Sequence, residues 1–300
     1  LLKEIGTAGR TAELLKKYGF SFKKSLGQNF LIDPNILKGI VHHAGLDHTS
    51  YVIEIGPGIG ALTEQLAQQA GHVLAVEIDQ RLIPILQESL SDYTNVEMIH
   101  ADFLKLDLKK ILKEKGYEGQ PLHIVANLPY YITTPIIMKV ISSGIPFEAI
   151  TVMMQKEVAN RIEAKPGTKD YGSLSIVLQY YTEAKIVMTI PKTVFIPQPN
   201  VDSAIVRLTS RKTSMLHLKD EDVFFAIVRA SFAQRRKTLA NNLGRYAQTI
   251  GMQREQLLHI CENIGIDTKR RGETLSPEEY ERLANAVFEM LPSRDKVLKK

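Results

Sequence analysis

From residue 51 onward, five short runs rich in β-branched and aliphatic residues, 51–55, 73–78, 96–100, 122–126 and 150–154, alternate with stretches of helical spacing. A strand that leads into a helix and back to another strand returns parallel to the first, on its neighbour's side. Repeated four times, this pattern leaves few options beyond an α/β fold around a mainly parallel sheet. Two further runs, 185–190 and 204–208, follow a helical stretch at 174–181 and are joined by a Pro-rich loop. No crossover helix separates them, so they predict an antiparallel pair at one edge of the sheet.

Beyond residue 208 the composition changes to a polar linker, 209–220, and then to helical patterns without convincing strands as far as 291. This places a domain boundary near 210, dividing the chain into 1–210 and a smaller all-helical domain, 211–300. The charged tail 292–300 reads as frayed. At the other end, 8–18 has helical spacing and is followed by Gly19, and Asp33–Pro34 reads as a helix start, with a capping side chain and a ring suited to the first turn. Between them lies an irregular basic stretch, 21–31.

Several function classes lose their raw material. No apolar run approaches the ~18 residues of a membrane span, and the first twenty residues are too charged for a signal peptide, so a soluble, cytoplasmic protein without membrane contact is expected. The single cysteine, Cys261, allows neither an internal disulfide nor a cysteine-rich zinc site and reads as a small buried hydrophobe. The eight histidines include the neighbours His42 and His43 but no HExxH pair, and no metal is expected. The net charge of +5 is compatible with a polyanionic partner. Its basic clusters are Lys23 and Lys24, Arg235, Arg236 and Lys237, and Lys269, Arg270 and Arg271; for each, a solvated helix face is the plain alternative.

The run 51–55 passes directly into Gly56-Pro57-Gly58-Ile59-Gly60 and then a helix near Ala61. Glycines here let the chain turn sharply and let a ligand approach bare backbone. The spacing, preceded by Glu54, is neither the GxGxxG of dinucleotide enzymes nor a P-loop. About twenty residues on, Glu77 stands near the end of the second run, where a carboxylate can accept hydrogen bonds from both hydroxyls of a ribose. Asp102, closing the third, is placed to bind an adenine amino group. The plain alternative for either is an exposed strand-end carboxylate.

The fourth run ends in Asn127-Leu128-Pro129-Tyr130, the most specific motif in the chain. An amine conjugated to a purine is a poor nucleophile, and acceptors placed at its hydrogens favour a more pyramidal nitrogen with an available lone pair. The Asn127 side-chain oxygen and the Leu128 carbonyl can supply two such acceptors, while Pro129 stiffens the turn. Tyr130 would stack on an extruded base. Phe195, in Phe195-Ile196-Pro197-Gln198-Pro199, is either a second aromatic surface or a core residue anchoring the Pro-rich loop.

These residues carry a resemblance. The stretches 24–31 (KSLGQNFL), 54–60 (EIGPGIG), 127–131 (NLPYY) and 195–203 together resemble the ribosomal RNA adenine dimethyltransferase family, over almost the whole chain. The resemblance implies a Rossmann-like methyltransferase fold, with a mainly parallel seven-stranded sheet and an antiparallel edge strand, plus the small helical domain. It implies S-adenosylmethionine as cofactor, with Asn29 and Leu31 joining Gly56, Glu77, Asp102 and Asn127 around it as the N-terminal segment wraps over the donor. Asn127, Leu128, Pro129, Tyr130 and Phe195 become the catalytic set.

Tyr131 and the segment 231–239 (SFAQRRKTL), within roughly ninety residues of helical domain, favour the small-subunit branch of the family over the large-subunit enzymes that confer macrolide resistance. The implied substrate is a pair of adjacent adenosines in a hairpin loop near the 3′ end of 16S rRNA, each methylated twice, in a small ribosomal subunit or assembly intermediate met by a monomer. Lys23, Lys24, Arg235, Arg236 and Lys237 would contact RNA, with binding that weakens steeply with salt. A DNA adenine methyltransferase and a non-catalytic assembly factor are the other readings; the helical domain speaks against the first and the intact Asn127 motif against the second.

Overall fold

The computed structural model describes residues 4–23 and 27–291, with Tyr130 described by its backbone alone. Lys24 and the tail 292–300, singled out from the sequence, lie outside the described residues, as does the Tyr130 side chain. The chain divides into two compact units, one of residues up to Ala159 with Glu183–Ser210, the other of Asn160–Thr182 with the residues from Arg211 onward.

In the first unit the order is α1 (Ala8–Lys17), β1 (Phe30–Leu31), α2 (Pro34–Ala44), β2 (Tyr51–Ile55), α3 (Ala61–Ala67), β3 (His72–Glu77), α4 (Ile83–Ser89) and β4 (Val96–His100). There follow α5 (Leu108–Glu114), β5 (Leu122–Asn127), α6 (Tyr130–Ser142) and β6 (Ala149–Gln155). After α7 (Lys156–Glu163) and α8 (Ser173–Tyr181) come β7 (Thr182–Ile190), β8 (Phe195–Ile196) and β9 (Ser203–Ser210). Local chemistry sets the starts: Asp33 accepts the amide of Asn35 at 2.9 Å, Pro34 occupies the first turn, and Gly45 closes α2 at φ 69°.

Among the described residues, seven strands form one sheet in the order β4-β3-β2-β5-β6-β9-β7. The pairings β4 to β3, β3 to β2, β2 to β5 and β5 to β6 are parallel, and β6 pairs with β9 antiparallel. The two late strands occupy one edge, as their spacing predicts, but the reversed strand β9 is one place in and β7 is outermost. Every residue of β2 is buried, and Leu74, Ala75, Ile124 and Val125 of the flanking strands are wholly so. Each such leucine or isoleucine contributes roughly 1.5–3 kcal/mol. Strand order reverses between β2 and β5, and such a switch point opens a crevice at the carboxyl ends of the strands. No helix among the described residues is long and apolar enough to cross a membrane.

The second unit holds α8 with α9 (Glu221–Ser231), α10 (Leu239–Thr249), α11 (Arg254–Asn263) and α12 (Pro277–Met290). The single boundary near 210 is therefore corrected, because 160–182 also belongs with the helices. Tyr171 and Ile176 are buried in one cluster with Phe224, Leu243, Leu257 and Tyr280, which is what draws that segment in. Cys261 is buried there too, as a small apolar residue.

Candidate active site

A cavity of about 420 Å³ opens at the carboxyl edge of the sheet, beside the switch point. The ends of three strands and the loop after a fourth supply its polar wall. After β2 the chain turns through Gly56, Gly58 and Gly60, all at positive φ. At Gly58 a Cβ would lie 3.0 Å from the Phe30 ring, so the loop and the N-terminal segment pack closely against bare backbone.

Glu77 ends β3 almost fully buried, and its carboxylate accepts the Gly58 amide at 3.2 Å and the Asp79 amide at 2.7 Å. Burial raises its pKa, against the pull of those two donors. Asp102, after β4, accepts the Leu104 amide at 3.0 Å and caps a single 3₁₀ turn. Asn127 is the last residue of β5; Leu128 beside it is buried, and the carbonyl of Pro129 accepts the Ile132 amide at 3.1 Å as α6 begins.

The N-terminal segment covers one side. Its β1 pairs with β8, Leu31 opposite Phe195, a two-stranded ribbon that the sequence pattern did not reveal because each strand is only two residues long. Gln28 donates to Asp79 at 2.8 Å, and Asn29 donates to the Gly27 carbonyl at 3.0 Å. Gly27, at φ 57°, lies against the turn after Asn127, where an added Cβ would be 2.8 Å from that of Pro129. Asp79 also takes a two-pronged ion pair from Arg81, at 2.9 and 2.6 Å, while Arg81 donates to the Ser21 carbonyl and lies 4.8 Å over the Phe20 ring. Burial alone would raise the Asp79 pKa, but the Arg81 and Gln28 hydrogen bonds hold it below the usual range.

Asn29, Leu31, Gly56, Glu77, Asp102, Asn127, Leu128 and Pro129 all line this cavity. Phe195 does not. It is 3% exposed and belongs to the core cluster with Phe30 and Leu31, so the core-anchor alternative describes its position; stacking on a base would require it to leave the core. Asp79 is not among the residues singled out from the sequence, although its place two residues after Glu77 was a signal; Tyr131, noted there as following Tyr130, is exposed at the cavity wall.

Glu54, which precedes the glycines, also lines the cavity, is 1% exposed and has one oxygen, Oε2, without a hydrogen-bond partner among the described residues. Burial pushes its pKa up to about 8, with Glu77 nearby adding to the rise. A carboxyl whose pKa is higher folded than unfolded favours the folded chain at low pH, and that contribution is lost as pH rises from about 4.5 to about 8. In thermal melts of the ligand-free protein, Glu54→Gln is expected to remove from the pH dependence of stability a fall of about 1.4 kcal/mol per pH unit across that window. An unchanged slope in the variant would mean that Glu54 is ionised throughout.

The basic candidates fall in different places. Lys23 is exposed at the start of the covering segment, its amide donating to the Gln28 side chain at 3.1 Å. Arg235, Arg236 and Lys237 are exposed in the connection between α9 and α10, which is not the helix face of the plain alternative. Arg235 donates to the Lys169 carbonyl and lies 4.0 Å from Glu273. Arg270 is committed to Glu279 by two short contacts.

The family model described as Ribosomal RNA adenine dimethylase matches residues 19–287. The chain is 58% identical over 287 residues to Ribosomal RNA small subunit methyltransferase A of Bacillus mycoides, covering 96% of this chain and 98% of that protein. It is also 58% identical to the Geobacillus thermodenitrificans protein of the same name, over 95% and 98% of the two lengths. Among solved structures, a dimethyladenosine transferase from Plasmodium falciparum aligns with a TM-score of 0.70 and 26% identity, over 84% of this chain and 95% of that one. The 23S rRNA methyltransferase ErmE aligns with a TM-score of 0.64 and 28% identity, over 86% and 99%. With the glycine turn, the strand-end carboxylates and the Asn127 corner converging on one cavity, the chain belongs to the ribosomal RNA adenine dimethylase family.

Proposed function

We propose that this protein transfers methyl groups from S-adenosylmethionine to the N6 amines of two adjacent adenosines in a hairpin loop near the 3′ end of 16S rRNA, twice on each. The observation that carries this reading is that Asn127, Leu128 and Pro129 share one cavity with Gly56, Glu77 and Asp102. The residues present fit such a donor: the wall is largely apolar, and the unpartnered Glu54 oxygen and the Glu77 carboxylate suit a ligand carrying ribose hydroxyls and positive charge. When bound, S-adenosylmethionine supplies a methyl group on a positively charged sulfur.

Around it, Glu77 would accept from the ribose hydroxyls, Asp102 from the adenine amine, and Asn29 and Leu31 would close the cover. The Asn127 oxygen and the Leu128 carbonyl would accept from the target amine, holding its lone pair toward the donor, and Tyr130 would stack on the base. Rate then comes mainly from proximity and fixed dipoles; the proton leaves to solvent once the nitrogen is alkylated, so no strong base is needed.

The reading extends to a monomer working in the cytoplasm without a metal, on a small subunit or its assembly intermediate. Lys23 and Lys24 in one unit and Arg235, Arg236 and Lys237 in the other would contact phosphates. The 58% identity to small-subunit enzymes, against 28% to a 23S enzyme, supports the small-subunit target over the large. Incubating the protein with labelled donor and unmethylated small or large subunits, then mapping modified nucleotides, should find dimethylated adenosine pairs in 16S rRNA alone. Label confined to 23S rRNA, or none in either, would overturn the assignment.

A further inference from the structure

Asn127, ending β5, is in register with Met153 of β6, and Met153 lines the cavity. Two residues on, Gln155 projects from the same face of β6 roughly 7 Å further along. It lines a second depression, of about 380 Å³, together with Lys156, Lys192, Asn200, Val201 and Asp202. The register makes this a built feature. Gln155 pairs with Ser203 at the start of β9, which draws the preceding loop against the strand end. Asp202 then fastens the loop: its backbone carbonyl accepts the Lys156 amide at 3.2 Å, and its carboxylate accepts the Lys192 amide at 3.0 Å.

We propose that this depression receives the nucleotide next to the adenosine being methylated, an inference that rests on the reading of the cavity given above. The Gln155 and Asn200 amides offer the paired donor and acceptor that match an adenine edge. Val201, 43% exposed, gives a base an apolar surface, and the exposed Lys156 and Lys192 ammonium groups can reach the linking phosphate. With Glu157 completing the wall, two carboxylates balance two lysines, so the depression has no surplus charge to hold a free phosphate. It suits a nucleotide held by its base as well as its backbone. A substrate of paired adenosines would place one base in each site, and the two would exchange places between rounds.

The test uses small subunits reconstituted with 16S rRNA in which one adenosine of the pair is abasic, measuring methylation of the other. With wild-type protein, kcat/KM for the remaining adenosine should fall about tenfold against intact subunits. The double variant Gln155→Ala, Asn200→Ala should lose about tenfold on intact subunits and nothing further on abasic ones, because the variant and the missing base remove the same contacts. Lys192→Arg should retain most of the rate. Donor affinity by calorimetry should be unchanged throughout, since these residues do not line the donor cavity. An unaltered rate for the double variant on intact subunits, or losses that multiply on abasic ones, would refute the subsite. Failure of the wild-type protein to methylate intact subunits would instead sink the functional reading itself.

Discussion

Alanine in place of Asn127 is expected to lower kcat for methyl transfer by about 10²–10³-fold, the usual cost of losing one fixed dipole aimed at the reacting centre. S-adenosylmethionine affinity should weaken by no more than about tenfold, because Asn127 is one of several polar groups on the cavity wall. The corner is built to be rigid: β5 holds Asn127 in register with Met153, Leu128 is buried, and the Pro129 carbonyl is tied into the first turn of α6. Replacing the side chain therefore removes an acceptor with little else to compensate. Single-turnover rates beside calorimetry separate the two effects. Equal losses in rate and in donor affinity would show that Asn127 serves the donor and not the amine.

The second large effect belongs to Glu77. Glu77→Ala should raise the dissociation constant for S-adenosylmethionine by about 100-fold or more, since hydrogen bonds to a charged group are each worth about 1.5–3 kcal/mol and two ribose hydroxyls would lose theirs. The same carboxylate also accepts the amides of Gly58 and Asp79, so alanine leaves both donors unmatched and loosens the glycine turn. Glu77→Gln keeps the shape and one acceptor and should recover part of the affinity. KM for the RNA substrate should stay within about twofold in both variants at saturating donor. A loss confined to RNA would move Glu77 out of the donor site.

Much of this is legible in the sequence alone. The five runs from 51 to 154 are strands within a residue or two of their expected limits, because a buried strand of aliphatic residues between glycine-rich turns has few other ways to fold. The glycine turn, Glu77, Asp102 and Asn127 were findable because each ends a strand, and strand ends of a doubly wound sheet converge in space. What stayed hidden depended on contacts between distant segments. The ribbon of β1 and β8 joins residues 30 and 196, Asp79 matters through Gln28 and Arg81, and Phe195 proves to be a core residue because Leu31 lies opposite it. The excursion at 160–182 was missed for the same reason: nothing in its own composition announces that Tyr171 will pack beside Tyr280.

The stretch from Gly27 to Leu31 meets Pro129 at its first residue, Asp79 at its second and Phe195 at its last. Five residues thus bridge the end of one strand, the start of a helix and the short strand β8 sixty-odd residues further along the chain. A change anywhere in this bridge moves donor affinity and turnover in concert, so a phenotype that looks like weak donor binding there will carry a slower methylation step with it.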